Sequence, residues 1–198
     1  MIEVKDLKKS FDTVEVLKGI STTMETGKVN LIIGQSGSGK TVFLKSLLNV
    51  YQPTSGEILF DGREINKMSR DEKQILRSEI GTVFQGSALF DSMTVEENIA
   101  FPLDMFTNLT FREKKRRVLD VIGRVHLEKA NRKYPSEISK KKKKRVAIAR
   151  AIVNNPKYLF FFFFNSELDP KTPIVIDNLI QEITAEYNIT NVINTHHI

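Results

Sequence analysis

One stretch constrains the fold more than any other: Val29-Asn30-Leu31-Ile32-Ile33-Gly34-Gln35-Ser36-Gly37-Ser38-Gly39-Lys40-Thr41. An apolar run ends at Gly34, and from there the chain fits G-x-x-x-x-G-K-[ST] at every fixed position. Gly37 and Gly39 allow the backbone to curl so that successive N–H groups point inward and cradle phosphate oxygens. Lys40 is spaced to reach the β- and γ-phosphates, and the Thr41 hydroxyl to ligate Mg²⁺. The segment from Thr41 to Leu48 reads as a helix, whose positive N-terminal end favours the same anion. A ligand-free strand-to-helix turn rich in Gly and Ser is the bland alternative. Strand before, helix after and every fixed position filled weigh against it, and the pattern implies a nucleoside triphosphate.

At 198 residues the chain suits one domain with a substantial core rather than two. It has no cysteine, which excludes disulfides and leaves a reducing compartment unopposed. Charges interrupt Met1-Ile2-Glu3-Val4-Lys5-Asp6-Leu7 too early for a signal peptide. No apolar run approaches the roughly 20 residues that span a bilayer, so direct membrane insertion is not expected. The net charge of +6 is concentrated in Lys140 to Lys144 and Arg145. Elsewhere 24 Lys and Arg balance 24 Asp and Glu. The basic run lacks interleaved aromatics that would stack bases, so no nucleic-acid partner is expected.

In chain order, residues 1–30 alternate apolar and polar positions (Ile2, Val4, Leu7; Val14, Val16, Leu17), the period of half-buried antiparallel strands. Phe11 lies in a turn and, on that stretch alone, reads as a small-core aromatic. Glu57 to Phe60 reads as a strand, Asp61-Gly62 as a tight turn, residues 69–79 as a helix, and Ile80 to Phe84 as a short buried strand ending at Gln85. Polar groups at the C-terminal ends of strands are where α/β proteins contact ligands. From about 86 to 145 the pattern is helical. Thr94 and Glu97 form a capping box there, and Val118, Leu119, Val121, Ile122 and Val125 form one apolar side of an amphipathic segment. A further helix opens after Ser139. Tyr158 to Phe164 reads as a strand buried on both faces, Asp169 and Pro170 start another helix, and Asn191 to Asn194 form a last strand before His196. Strands alternating with helices around a phosphate loop predict a mostly parallel α/β sheet.

The order of these motifs resembles the ATP-binding subunit of an ABC transporter over essentially the whole chain. The resemblance implies an α/β P-loop NTPase with a RecA-like core, an antiparallel β layer and a helical subdomain, C-terminally truncated. Residues 1–198 form a single domain in that reading, with 1–87 and 146–198 as core plus β layer and 88–145 as the helical subdomain. It implies ATP and Mg²⁺ as ligands. Phe11 would stack on adenine, and Gly34, Gln35, Ser36, Gly37, Ser38, Gly39, Lys40, Thr41 and Val42 would bind the nucleotide. Thr41 and Gln85 would serve the metal, Gln85 also meeting the attacking water, and His196 would touch the γ-phosphate. Ser139, in the signature loop, and Asp169 would contact a partner subunit. Two such subunits would pair as a homodimer against integral membrane permease subunits, at the cytoplasmic face of the bacterial inner membrane. The stretches Phe84 to Val95 and Glu97 to Leu103 are similar to the Mla-type ATPases, which drive phospholipid traffic across the bacterial envelope.

The departures from the family pattern fall where the chemistry is. The family's Ser-Gly-Gly-x-Gln is here Ser139-Lys140-Lys141-Lys142-Lys143. Lys140 and Lys141 add Cβ atoms where backbone must approach closely, and their charges face a positive helix end at about 0.3–1 kcal/mol each. Phe162 and Phe163 occupy the positions of the acidic pair that holds Mg²⁺ and polarises water. Losing a general base alone costs roughly 10²- to 10⁴-fold in rate. Glu167 and His197 also depart, replacing a small residue and an Asp. Two readings fit: an ATPase that binds nucleotide and hardly hydrolyses it, or single-base runs (AAA codes Lys, TTT codes Phe) overwriting the natural codons. Resequencing codons 138–168 separates them, because a clean re-read with both runs removes the second. Besides a transporter ATPase with severely impaired hydrolysis, a non-hydrolysing ATP-binding module and a soluble ABC protein not tied to transport remain as alternatives.

Overall fold

The computed structural model describes residues 1–84, 86–164 and 172–195, and only the backbone of residues 163, 164, 172–177 and 195. In chain order its elements are β1 (Ile2–Phe11), β2 (Val14–Met24), β3 (Val29–Ile33), α1 (Lys40–Leu47), β4 (Ser55–Phe60), β5 (Arg63–Glu64), α2 (Arg70–Ser78) and β6 (Ile80–Val83). There follow α3 (Val95–Phe106), α4 (Phe111–Arg124), α5 (Lys140–Ile152), β7 (Tyr158–Phe164), α6 (Thr172–Tyr187) and β8 (Thr190–Thr195). One sheet has the order β2-β1-β4-β5 and pairs antiparallel throughout. The other has the order β3-β8-β7-β6 and is wholly parallel.

The alternating strands at the N-terminus do build the antiparallel layer. Ile2, Val4, Leu7 and Leu17 turn inward and meet Ile58 and Phe60 of β4 in one buried cluster. Strand β4 opens at Ser55, two positions before the apolar pattern does. Gly56 makes that possible, because a Cβ there would lie 2.4 Å from the Asp6 carbonyl oxygen, beside the irregularity between Lys5 and Lys8. Asp61 and Gly62, both with positive φ (48° and 77°), close the β4–β5 hairpin in the geometry that the right-handed strand twist prefers.

The Phe run forms an interior strand, as its β-prone side chains require. Its faces separate cleanly. Tyr158, Phe160 and Phe162 join Phe43, Leu44 and Leu47 of α1 on one side. Leu159 and Phe161 join Ala147, Ile148, Ala151 and Ile152 of α5 and Ile180 and Ile183 of α6 on the other. Strand β8 lies between β3 and β7, so the phosphate loop after β3 and the end of the Phe run are one strand apart.

A third cluster ties α3, α4 and one face of α5 together through Val95, Ile99, Leu103, Val118, Ile122 and Val146. Leu119, expected on the apolar side of α4, is instead exposed. The buried positions Val118, Ile122 and Val125 follow i, i+4, i+7, and a residue one step on is rotated by about 100° away from them. Helix α5 belongs to both layers. Val146, Ala149 and Val153 face the helical cluster, while Ala147, Ile148 and Ala151 face the sheet. Its fit against β6 leaves no spare room, since a Cβ on Gly81 would lie 2.3 Å from the Ala151 carbonyl oxygen. Gly81→Ala is therefore expected to cost about 1–3 kcal/mol, read as a lower urea midpoint at unchanged m-value. An unaltered midpoint would mean that α5 does not press on β6 there.

Candidate nucleotide site

The phosphate loop begins where β3 ends and α1 begins. Ser38 N donates to Gln35 O at 3.2 Å, and Phe43 N to Gly39 O at 2.8 Å. Gly39 takes φ 91° at the helix N-cap, and an added Cβ would meet Val16 Cγ1 at 3.1 Å and Leu17 Cδ2 at 3.3 Å. Glycine is thus required twice over at this position, by the left-handed backbone and by the contact with β2. Lys40 folds back across the loop. It is 7 % exposed, and its Nζ donates to the carbonyls of Gly34 and Gln35 at 2.6 Å each.

The start of α1 differs from those of α2, α3 and α4. Those three carry complete capping boxes, Ser69 with Glu72, Thr94 with Glu97 and Thr110 with Glu113. In each, hydrogen bonds from the cap hold the glutamate pKa below its ordinary value. Helix α1 has no side-chain cap and no acid in its first turn. The N–H groups of Lys40, Thr41 and Val42 are its intrahelically unmatched donors, and they gather at the loop. That is an anion site by construction. Mg²⁺ keeps several waters and takes one or two protein oxygens beside those of the phosphates. The exposed Thr41 hydroxyl is an oxygen that could serve as one, whereas the Phe162 side chain has no oxygen.

Phe162 is 7 % exposed and stacks on Phe84 with ring centroids 5.0 Å apart, so the end of β7 is joined to the end of β6 by two rings. Phe11 is 38 % exposed and meets Tyr51 edge-on at 5.2 Å, with Lys9 Nζ 4.9 Å from its ring centroid. It is therefore not the core aromatic that its own stretch suggested. Ser139 caps α5, accepting from Lys142 N at 3.4 Å, while Lys140, Lys141 and Lys142 stand exposed beyond it. Gln85, Asp169 and His196 lie outside the described residues, as does the Phe163 side chain. A cleft of about 560 Å³ opens between β2 and β3 and reaches Gly34, Ser38, Gly39 and Lys40. Phe11, Thr41 and Phe162 are not on its walls. Among the described residues no group of three or more His, Asp or Glu could hold a metal.

Two polar residues on apolar helix faces escaped the sequence reading. Asn98, fully buried on α3, accepts from Phe90 N at 2.9 Å and donates to the carbonyls of Phe90, Met93 and Thr94, each at 3.0 Å. Arg150, on α5, donates to Ser87 O and Ala88 O, and burial lowers its pKa. The available signal was the interruption itself, because a polar group on a buried stripe has to find partners. Both residues border a groove of about 290 Å³ or the loop beside it, where Phe84, Phe90, Phe101, Pro102 and Met105 form an apolar wall.

A parallel sheet, a phosphate loop feeding an uncapped helix and a separate antiparallel layer define a P-loop NTPase cassette. The family model described as ABC transporter matches residues 17–161, and the chain belongs to that family. The methionine import ATP-binding protein MetN 2 of Oceanobacillus iheyensis is 36% identical over all of this chain and 59% of its own length. The probable ribonucleotide transport ATP-binding protein mkl of Mycobacterium bovis is 37% identical over all of this chain and 55% of its own. This chain thus spans a little over half the length of these curated relatives. Among solved structures, the dimeric bacterial ABC transporter cassette MJ0796 superposes with a TM-score of 0.88 at 31% identity, covering 100% of this chain and 88% of that one.

Proposed function

We propose that this chain is the ATP-binding subunit of a transporter, binding Mg·ATP through Lys40, Thr41 and the N-terminal amides of α1. The carrying observation is the uncapped start of α1 beside a buried lysine whose ammonium is held at the loop by carbonyls. Gly34 to Val42 bind the phosphates, Phe11 presents its exposed ring to the base, and Gln85 and His196 serve the metal and the γ-phosphate. Residues 1–198 act as one ATPase domain, with 88–145 as its helical subdomain and α5 shared with the core. Two copies pair through Ser139 and Asp169, a reading supported by the dimeric cassette that the fold matches. Integral membrane permease subunits are its partners in this reading, with the chain at the cytoplasmic face of the bacterial inner membrane. Phospholipid is the cargo assigned from the stretch Phe84 to Leu103. The relatives named for methionine and ribonucleotide leave that assignment resting on this stretch alone.

Hydrolysis is impaired in this reading, because Phe162 and Phe163 supply neither metal ligand nor base and Lys140 and Lys141 obstruct closure. Calorimetric titration with Mg·ATP alongside a steady-state ATPase assay tests both halves. Saturable binding is expected with turnover well under about 1 s⁻¹. Absence of saturable binding would remove the nucleotide reading, and ordinary turnover would remove the impairment.

A further inference from the structure

Arg150 interrupts a helix face that is otherwise apolar, with Ala147, Ile148, Ala149, Ala151 and Ile152 all buried around it. It meets that burial with two acceptors. Nη1 donates to Ala88 O at 2.8 Å and Nη2 to Ser87 O at 2.9 Å. Both carbonyls belong to residues with left-handed backbone, Ser87 at φ 63° and Ala88 at φ 45°. Neither is glycine, and side chains with a Cβ adopt this region only when their surroundings impose it. Ser87 N in turn donates to Phe84 O at 3.0 Å, tying the turn at residues 86–88 back to the end of β6. The guanidinium plane also lies 6.0 Å from the Phe90 ring centroid.

From this geometry we infer that Arg150 is a positioning residue whose planar fork holds Ser87 and Ala88, in the turn at residues 86–88, in their left-handed form. The backbone shortly after Gln85 is fixed by it. A lysine cannot do this, because one ammonium on a flexible stem does not match two successive carbonyls as a rigid fork does. The same helix runs 13 residues from Lys140, next to its Ser139 cap, about 20 Å at the helical rise. A shift at the subunit-facing end of α5 therefore reaches the turn through a rigid rod. The functional consequence rests on the reading of Gln85 as a metal-contacting residue; the clamp itself does not.

Amide exchange tests the clamp directly. Arg150→Lys should accelerate exchange at Gly86, Ser87 and Ala88 about tenfold while β7 and the rest of α5 keep their protection. Displacing a group that orients a metal contact typically costs 10- to 100-fold. Arg150→Lys should accordingly weaken the Mg²⁺ dependence of ATP binding about tenfold and leave metal-free ATP binding unchanged. Ala88 is exposed, so it can be varied without disturbing the core. Adding Ala88→Gly should recover most of the loss, since glycine takes the left-handed conformation freely. Ala88→Val, with Arg150 intact, should reproduce the loss. Unchanged exchange at the turn, or equal effects on metal-bound and metal-free nucleotide without rescue by Ala88→Gly, would overturn the clamp. A Gln85→Ala variant that leaves the Mg²⁺ dependence untouched would remove the reading of Gln85 alone, and the clamp would then stand or fall on exchange.

Discussion

Lys40→Ala should abolish ATP binding detectable by calorimetry. The side chain is buried, and its ammonium already faces the loop, held by the Gly34 and Gln35 carbonyls. A phosphate oxygen is a stronger acceptor than a neutral carbonyl, because both partners are then ionised. Removing one member of a buried charge pair costs about 3–5 kcal/mol, or roughly 10²- to 10⁴-fold in affinity. Gly34, Gly37 and Gly39 remain in that variant, so the loop itself keeps its path. A loss confined to affinity, with the melting temperature little changed, is the expected pattern. Undiminished affinity would mean that the phosphates lie elsewhere.

The second large effect concerns turnover. Restoring the acidic pair alone, Phe162→Asp with Phe163→Glu, should leave the chain nearly inactive. Three requirements meet at the γ-phosphate: a held metal, an oriented water and a second subunit closing over the site. The acidic pair answers only the first two. In the function proposed above, closure needs small residues at the start of α5, where Lys140 and Lys141 stand exposed past the Ser139 cap. Recovery should require Lys140→Gly, Lys141→Gly and Lys143→Gln in the same chain. The repair also has a structural cost. Phe162 is packed against Phe84, and deleting a buried phenyl group typically costs about 3–5 kcal/mol. The repaired chain should melt lower even where it turns over faster. If the unrepaired chain already hydrolyses ATP at about 1 s⁻¹ or more, the roles assigned to these residues are wrong.

The phosphate loop was legible because its chemistry is local. Gly34 to Thr41 carry their own spacing, and the strand and helix beside them follow from adjacent pattern. The Phe run was legible for the same reason, as its side chains admit little besides a buried strand. What escaped depends on distant partners. Nothing near Arg150 in sequence announces that its acceptors are 62 and 63 residues away, or that Ser87 and Ala88 adopt left-handed backbone without glycine. The position of β8 between β3 and β7 is equally invisible, because periodicity does not encode the order in which parallel strands are laid down. Leu119 was misassigned by reading apolar content rather than angular position. The boxes at Ser69 and Thr110 carry the same local signal as the one at Thr94, a hydroxyl followed three residues later by Glu.

The bare start of α1 has a thermodynamic meaning beyond recognition. A helix of eight residues is too short to persist on its own propensity, and α2, α3 and α4 complete their own first turns with hydrogen bonds from their own side chains. For α1, if it binds nucleotide as proposed, the closing piece comes from solution. Nucleotide is then a component of the folded state, and conformational stability becomes a function of metabolite concentration. At a hundredfold excess over Kd that linkage amounts to about 2.7 kcal/mol, a sizeable share of the 5–15 kcal/mol that typically holds a domain together. In a cell replete with nucleotide such a chain is a sturdier protein than the same chain in a depleted one.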